Sequence, residues 1–311
     1  MLDCEDIAVS GTVRGYMSNR YIRVLLLILF FVFPAQLLAG TPEKIDVFVS
    51  IPPQKWLCEQ LGGGHVITHL LLAKGQEPHA FDPSPRQIQA LSRSNLFFAA
   101  GLSFEQEIIR RLQTGAPHLQ VVDTSRNIDK IPMEGMGHEH EHGNKEVLDP
   151  HVWLSAKNLK SMATVMAVAL SRVDFKNKPL YEKNLVKLNV LLDDLDQTIA
   201  KELAPFRGAS FFVFHPAFGY FANRYHLQQI PVETGGKAPT PKQLFSLVKK
   251  AKADGIKVIF VQPQFDLRSA ERVALAIGGK VVPLDPLAEN CVENLTMMAV
   301  KIADALGGRG K

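Results

Sequence analysis

Several familiar catalytic and binding signatures are missing from this sequence. It has no G-x-G-x-x-G fingerprint and no complete G-x-x-x-x-G-K-[ST] P-loop, so Gly62-Gly63-Gly64 and Gly235-Gly236 read as turns rather than phosphate cradles. No G-x-S-x-G elbow offers a serine nucleophile. Charge of one sign is also missing: 35 Lys and Arg face 31 Asp and Glu, giving a net charge of +4 that is scattered along the chain and implies no nucleic acid partner. The longest apolar run, Val24 to Leu38, is interrupted by Pro34 and Gln36 and falls short of the roughly 20 residues a spanning helix needs. Cysteine is scarce, with only Cys4, Cys58 and Cys291. Two thiols in an oxidising compartment invite a disulfide. Cys58, however, sits in the apolar helical pattern Trp56-Leu57-Cys58 with Leu61, and the expectation is two unpaired core cysteines.

The amino terminus gives the compartment. Arg20 and Arg23 precede the apolar run, and Leu37-Leu38-Ala39-Gly40 closes it, which reads as a cleavable signal peptide over residues 1–40. Residues 1–16 carry Asp3, Glu5 and Asp6, unusual ahead of a basic region, so Met17 makes a more ordinary start. Thr41 stands where a lipoprotein would need cysteine, so acylation there is ruled out and an exported, unlipidated periplasmic protein is expected.

Apolar runs then alternate with helical patterns. Strands are expected near 46–50, 66–72, 96–100 and 119–122, interleaved with helices near 54–61, 85–93 and 104–113. The scheme repeats with strands near 210–214, 228–232, 258–262 and 280–284 and helices near 218–224, 241–253 and 268–277. This alternation predicts an α/β fold of two βα lobes, each with a mainly parallel four-stranded sheet. Between them lie helical patterns over 156–172 and 178–203. The second carries Leu185, Leu188, Leu192, Leu195 and Ile199 on one face, with Pro179 at its start and Pro205 past its end. One rigid helix therefore joins the lobes, and the expected domains are an N-terminal lobe over 41–177, a linking helix over 178–204 and a C-terminal lobe over 205–311. The segment 133–146 breaks this texture. It has no apolar periodicity, so the His138-Glu139-His140-Glu141-His142 run lies on an expected mobile loop and not on a helix, as a metalloprotease motif requires. Alternating imidazole and carboxylate can attract divalent ions weakly, making His138, His140 and His142 auxiliary capture candidates; a plain solvated loop is the alternative.

Four possible metal ligands each stand beside a proline: Pro78-His79, Pro150-His151, His215-Pro216 and Asp285-Pro286. Proline fixes its own φ and drives the preceding residue out of the helical region, so each ligand sits on a stiffened loop. Spacings of about sixty to seventy residues exclude a local finger and require a large fold to gather them. His215 and Asp285 directly follow expected strands and His79 follows another, where open α/β sheets place their sites. His151 enters from the loop before a helix, so each lobe supplies two ligands to a cleft between them. Three imidazoles and a carboxylate form a set that zinc accepts tetrahedrally, whereas manganese prefers more oxygen. A closed four-ligand shell leaves no open position for activated water, which argues against an enzyme; an unbound Asp285 would reopen a secreted zinc hydrolase. Phe81, Trp153 and Phe218 are candidate walls of a dry cleft. His65, His69, His118 and His226 lack the proline context and read as surface or packing residues.

Six motifs in order carry a resemblance: Ser50-Ile51-Pro52-Pro53; Gly75-Gln76-Glu77-Pro78-His79-Ala80-Phe81-Asp82-Pro83-Ser84-Pro85; Leu148-Asp149-Pro150-His151-Val152-Trp153-Leu154-Ser155; Phe214-His215-Pro216-Ala217-Phe218-Gly219-Tyr220-Phe221; Val261-Gln262-Pro263-Gln264; and Leu284-Asp285-Pro286-Leu287. The chain resembles the zinc- and manganese-binding receptors of bacterial ABC importers, the cluster A-I substrate-binding proteins. The resemblance implies a single ion in the interlobe cleft at His79, His151, His215 and Asp285, carried as cargo to a membrane permease driven by a cytoplasmic ATPase, with the receptor working as a monomer. Manganese-type members usually carry a carboxylate where His215 stands, and zinc-type members often carry a histidine-rich loop where 137–143 stands, so the resemblance implies Zn2+ over Mn2+ or Fe2+. A manganese or ferrous iron receptor of the same family, or a metal-buffering or adhesive protein without a permease, remain alternatives.

Overall fold

In the computed structural model residues 44–135, 147–265 and 267–307 are described. The expected signal segment and the run containing His138, His140 and His142 lie outside the described residues. The first half alternates β1 (Ile45–Val49), α1 (Pro52–Gly62), β2 (Val66–Leu70), α2 (Pro85–Leu91), β3 (Leu96–Ala99), α3 (Ser103–Gly115) and β4 (Gln120–Asp123). Two long helices follow, α4 (Ala156–Val173) and α5 (Lys178–Leu203). The second half runs β5 (Ser210–Val213), α6 (Gly219–Tyr225), β6 (Gln228–Pro231), α7 (Pro241–Ala253), β7 (Val258–Val261), α8 (Leu267–Ile277), β8 (Lys280–Pro283) and α9 (Cys291–Leu306).

Each half closes one four-stranded parallel sheet, in the orders β2-β1-β3-β4 and β6-β5-β7-β8. The expected α/β architecture of two parallel sheets with a long connecting helix is therefore present. In both sheets the chain builds outward to one side of the first strand and then crosses to the other, so β1 and β5 sit at switch points where loops diverge and leave a crevice. Helix α9 was not anticipated, because strand–helix alternation ends with β8. Its apolar positions Leu295, Met298, Ala299, Ile302 and Ala303 bury against the shared interior instead of opening another βα unit.

The strands are apolar on both faces because both faces are covered. In β3, Leu96 and Phe98 point into one cluster while Phe97 and Ala99 point into another with Ile108 and Leu112 of α3. In β7, Val258 and Phe260 separate in the same way from Ile259 and Val261. The inward faces of both sheets meet in one continuous core: Val47, Val49, Phe98, Phe211, Val213 and Phe260 share a cluster with Leu188, Leu192, Leu195 and Ile199 of α5 and Met298 of α9. Helix α5 thus belongs to both halves. Cys58 and Cys291 are free and buried, as expected. Burial pushes the Cys58 thiol up to about 12 and raises that of Cys291 as well, so neither supplies a reactive thiolate.

The described residues on either side of 136–146 pair with each other in a narrow neck. Pro132 and Leu148 form an antiparallel bridge, Met133 N donates to Val147 O at 2.9 Å, and Asp149 N donates to Ile131 O at 2.8 Å.

Candidate metal centre

The switch point of the second sheet delivers His215. It lies two residues beyond β5, whose ladder with β6 pairs Val213 with Pro231 and whose ladder with β7 pairs Val213 with Phe260. Continuing those registers places Glu233 on one side of His215 and Gln262 on the other. Glu233 Oε1 lies 2.5 Å from His215 Nδ1. Gln262 Nε2 donates 2.7 Å to His215 O, and its Oε1 accepts from His215 N at 3.3 Å. Both partners are buried, so ring and backbone of His215 are fixed from opposite sides.

His151 is set locally. Asp149 Oδ1 accepts from His151 N at 2.8 Å and lies 2.7 Å from its Nδ1, within a buried pair. Asp149 O in turn accepts from Tyr220 Oη at 2.9 Å, anchoring this loop to α6. His79 sits in a short 3-10 turn, Pro78–Ala80, started by Glu77, whose Oε1 accepts from His79 N at 2.8 Å.

These turns bring the three imidazoles together. His79, His151 and His215 each present a ring nitrogen, and these atoms all lie within 4.8 Å of one another. The ring centroids form a near-regular triangle of 5.7, 5.1 and 5.3 Å. His79 Nε2 lies 3.3 Å from His215 Nε2, while Asp149 and Glu233 occupy the Nδ1 side of the other two rings, leaving their Nε2 atoms for a ligand. His79 is the most exposed of the three. Burial, and after it the nearby His215, lowers its pKa below the ordinary imidazole value. The arrangement offers three nitrogen donors to one small cation.

Asp285 lies outside this close group. It follows β8, and its Oδ1 accepts from Gln264 Nε2 at 2.8 Å and from Leu287 N at 2.9 Å. Of the expected walls, Trp153 packs edge-on to His151 with centroids 5.4 Å apart. Phe81 meets Phe104 edge-on, and Phe218 is a fully buried core residue. The flat wall comes from Phe265, stacked on His215 at 4.9 Å and 21°, a residue with no distinguishing context in the sequence. His69, read as a packing residue, stacks on Phe48 and pairs with Asp46 at 2.8 Å. Glu233 escaped sequence reasoning, and Gln262, though part of the Val261-Gln262-Pro263-Gln264 motif, was given no role there; the signal that pairs both with His215 is strand register.

Known proteins are similar to this chain in sequence and fold. A family model described as zinc-uptake complex component A, periplasmic (ZnuA) matches residues 47–306. A crystal structure of ZnuA superimposes with a TM-score of 0.79 at 36% identity, covering 85% of this chain and 99% of that one. The high-affinity zinc uptake system protein ZnuA of Bacillus subtilis (strain 168) is 29% identical over 254 residues, 79% of this chain and 79% of its own. The manganese ABC transporter substrate-binding lipoprotein PsaA of Streptococcus mitis is 28% identical over 249 residues, 76% of this chain and 78% of its own.

Proposed function

The chain belongs to the family of the periplasmic zinc-uptake complex component A, and we propose that it is a high-affinity zinc receptor that holds the ion at His79, His151, His215 and Asp285 and delivers it to an ABC importer. The observation that carries this reading is the 3.3 Å separation of His79 Nε2 and His215 Nε2. Two nitrogens bound to one tetrahedral zinc at about 2.0–2.1 Å stand about 3.3–3.4 Å apart, so this pair already has the spacing that the ion requires. Zinc is the cargo. Asp149 and Glu233 keep the protons of His151 and His215 on Nδ1, which directs the Nε2 lone pairs inward. Asp285, with Oδ1 tied to Gln264 and Leu287, has its other oxygen available as the fourth ligand. Trp153 and Phe265 exclude water from the shell and so strengthen its electrostatics.

Four protein ligands leave no position for activated water, in keeping with a transport receptor and not a hydrolase. The partners are a membrane permease and its cytoplasmic ATPase, and the mature receptor works as a periplasmic monomer after removal of residues 1–40. No helix among the described residues is long and apolar enough to cross a membrane. Similarity to PsaA supports manganese as the second reading; the nitrogen-rich donor set favours zinc.

Competitive titration of the mature protein with zinc and manganese tests the proposal, alongside His215→Ala and a variant in which residues 136–146 are replaced by a short Gly-Ser linker. One tight zinc site that survives loop replacement and collapses in His215→Ala is expected. Preference for manganese, or zinc binding lost only with the loop, would overturn it. Under the manganese reading, His215→Glu should instead leave the preferred metal bound tightly.

A further inference from the structure

Trp153 has a polar atom that the proposed ion shell does not use. Two residues past His151 and only 2% exposed, it donates its indole Nε1–H 2.7 Å to the carbonyl of Pro286, 133 residues further along the chain. Pro286 adjoins Asp285, so this buried hydrogen bond connects the loop bearing a ligand from one lobe to the loop bearing a ligand from the other. From its own side the Asp285 loop is held by Asn294 Nδ2, which donates 2.8 Å to Asp285 O. The loop is thus pinned at two successive carbonyls, one by each lobe. Indole is a donor with no acceptor capacity, and a buried carbonyl that loses its donor carries a penalty, so the bond favours one separation of the two loops.

We infer that Trp153 is a positioning residue that sets where Asp285 stands relative to His151 before the ion arrives. This rests on the ligand role proposed for Asp285. In this arrangement the Trp153 ring packs beside His151 while its N–H fixes the opposing loop, so ion affinity depends on a bond that touches neither ion nor ligand atom.

A double-mutant cycle read by competitive zinc titration tests it. Trp153→Phe keeps an aromatic ring and removes the donor, and should weaken zinc about tenfold. That loss should vanish in an Asp285→Ala background and persist in a His79→Ala background, because only Asp285 is placed by the bond. An equal loss in both backgrounds would reduce Trp153 to packing and overturn the inference. An Asp285→Ala variant that binds zinc as tightly as the parent would instead remove Asp285 from the shell, a failure read separately. The unaltered protein gives a second measurement that needs no substitution at 153. With the indole groups labelled with 15N and assigned by Trp56→Phe, the Trp153 N–H should be protected from exchange in the metal-free protein. Exchange as fast as a free indole would rule out the tie.

Discussion

An imidazole can offer a metal only one of its two nitrogens, and the group behind the ring decides which. Asp149 at 2.7 Å and Glu233 at 2.5 Å make that choice for His151 and His215. Replacing either carboxylate with alanine should lower zinc affinity about 10–100-fold with the fold intact, while Glu233→Gln retains an acceptor and should lose less; competitive titration with circular dichroism as the folding control measures both. His79 has a different sensitivity. Its pKa is lowered by burial and then by His215, so below the unfolded value of about 6.5 the unfolded chain binds protons that the folded chain refuses. Stability of the metal-free protein should therefore fall as pH drops through that value, and the His79 ring should titrate with a midpoint below 6.5 in proton NMR. A midpoint above 6.5 would contradict this direction. The four proposed ligands stood out in the sequence because proline stands beside each of them. The contacts of Glu233 and Gln262 with His215 were not legible, since they arise only through strand pairing, which a linear reading cannot align.

At the level of elements, a glycine decides how closely α6 approaches the His151 loop. A Cβ on Gly219, the first residue of that helix, would come within 2.5 Å of Asp149 Oδ2, and within 3.2 Å of Gln229 Nε2. Gly219→Ala should displace the Asp149 carboxylate, destabilise the protein by about 1–3 kcal/mol and weaken zinc through His151. Denaturant unfolding and metal titration of the same variant check the two effects together. The βα alternation was visible in the sequence because buried parallel strands are short apolar runs between punctuating glycines and prolines. Helix α9 was as periodic as its neighbours. It was missed because its partner is α5, contributed by a distant part of the chain, and not an adjacent strand.

At the scale of the molecule, the inward faces of both sheets share one core through α4, α5 and α9. Opening the cleft widely would expose apolar surface that no hinge residue could compensate, so binding should be accompanied by small displacements. Small-angle scattering profiles of metal-free and zinc-loaded protein should superimpose; a change of the size produced by hinge closure would show that the core divides. Two lobes and a rigid connector were legible from the amphipathic pattern of 178–203. That the connector is interior to a single core was not, because the pattern shows that one face is buried without showing what covers it.

The neck at Met133–Val147 and Ile131–Asp149 has a consequence for how such a chain can change over time. Its backbone bonds close before residues 136–146 begin, and its last residue, Asp149, is already committed to His151. Whatever is spliced between the two sides adds only loop-closure entropy, about 0.6 kcal/mol for each doubling in length. A change of length or sequence between the two sides therefore leaves the Asp149–His151 pair in place, which makes the neck the natural place to graft a reporter.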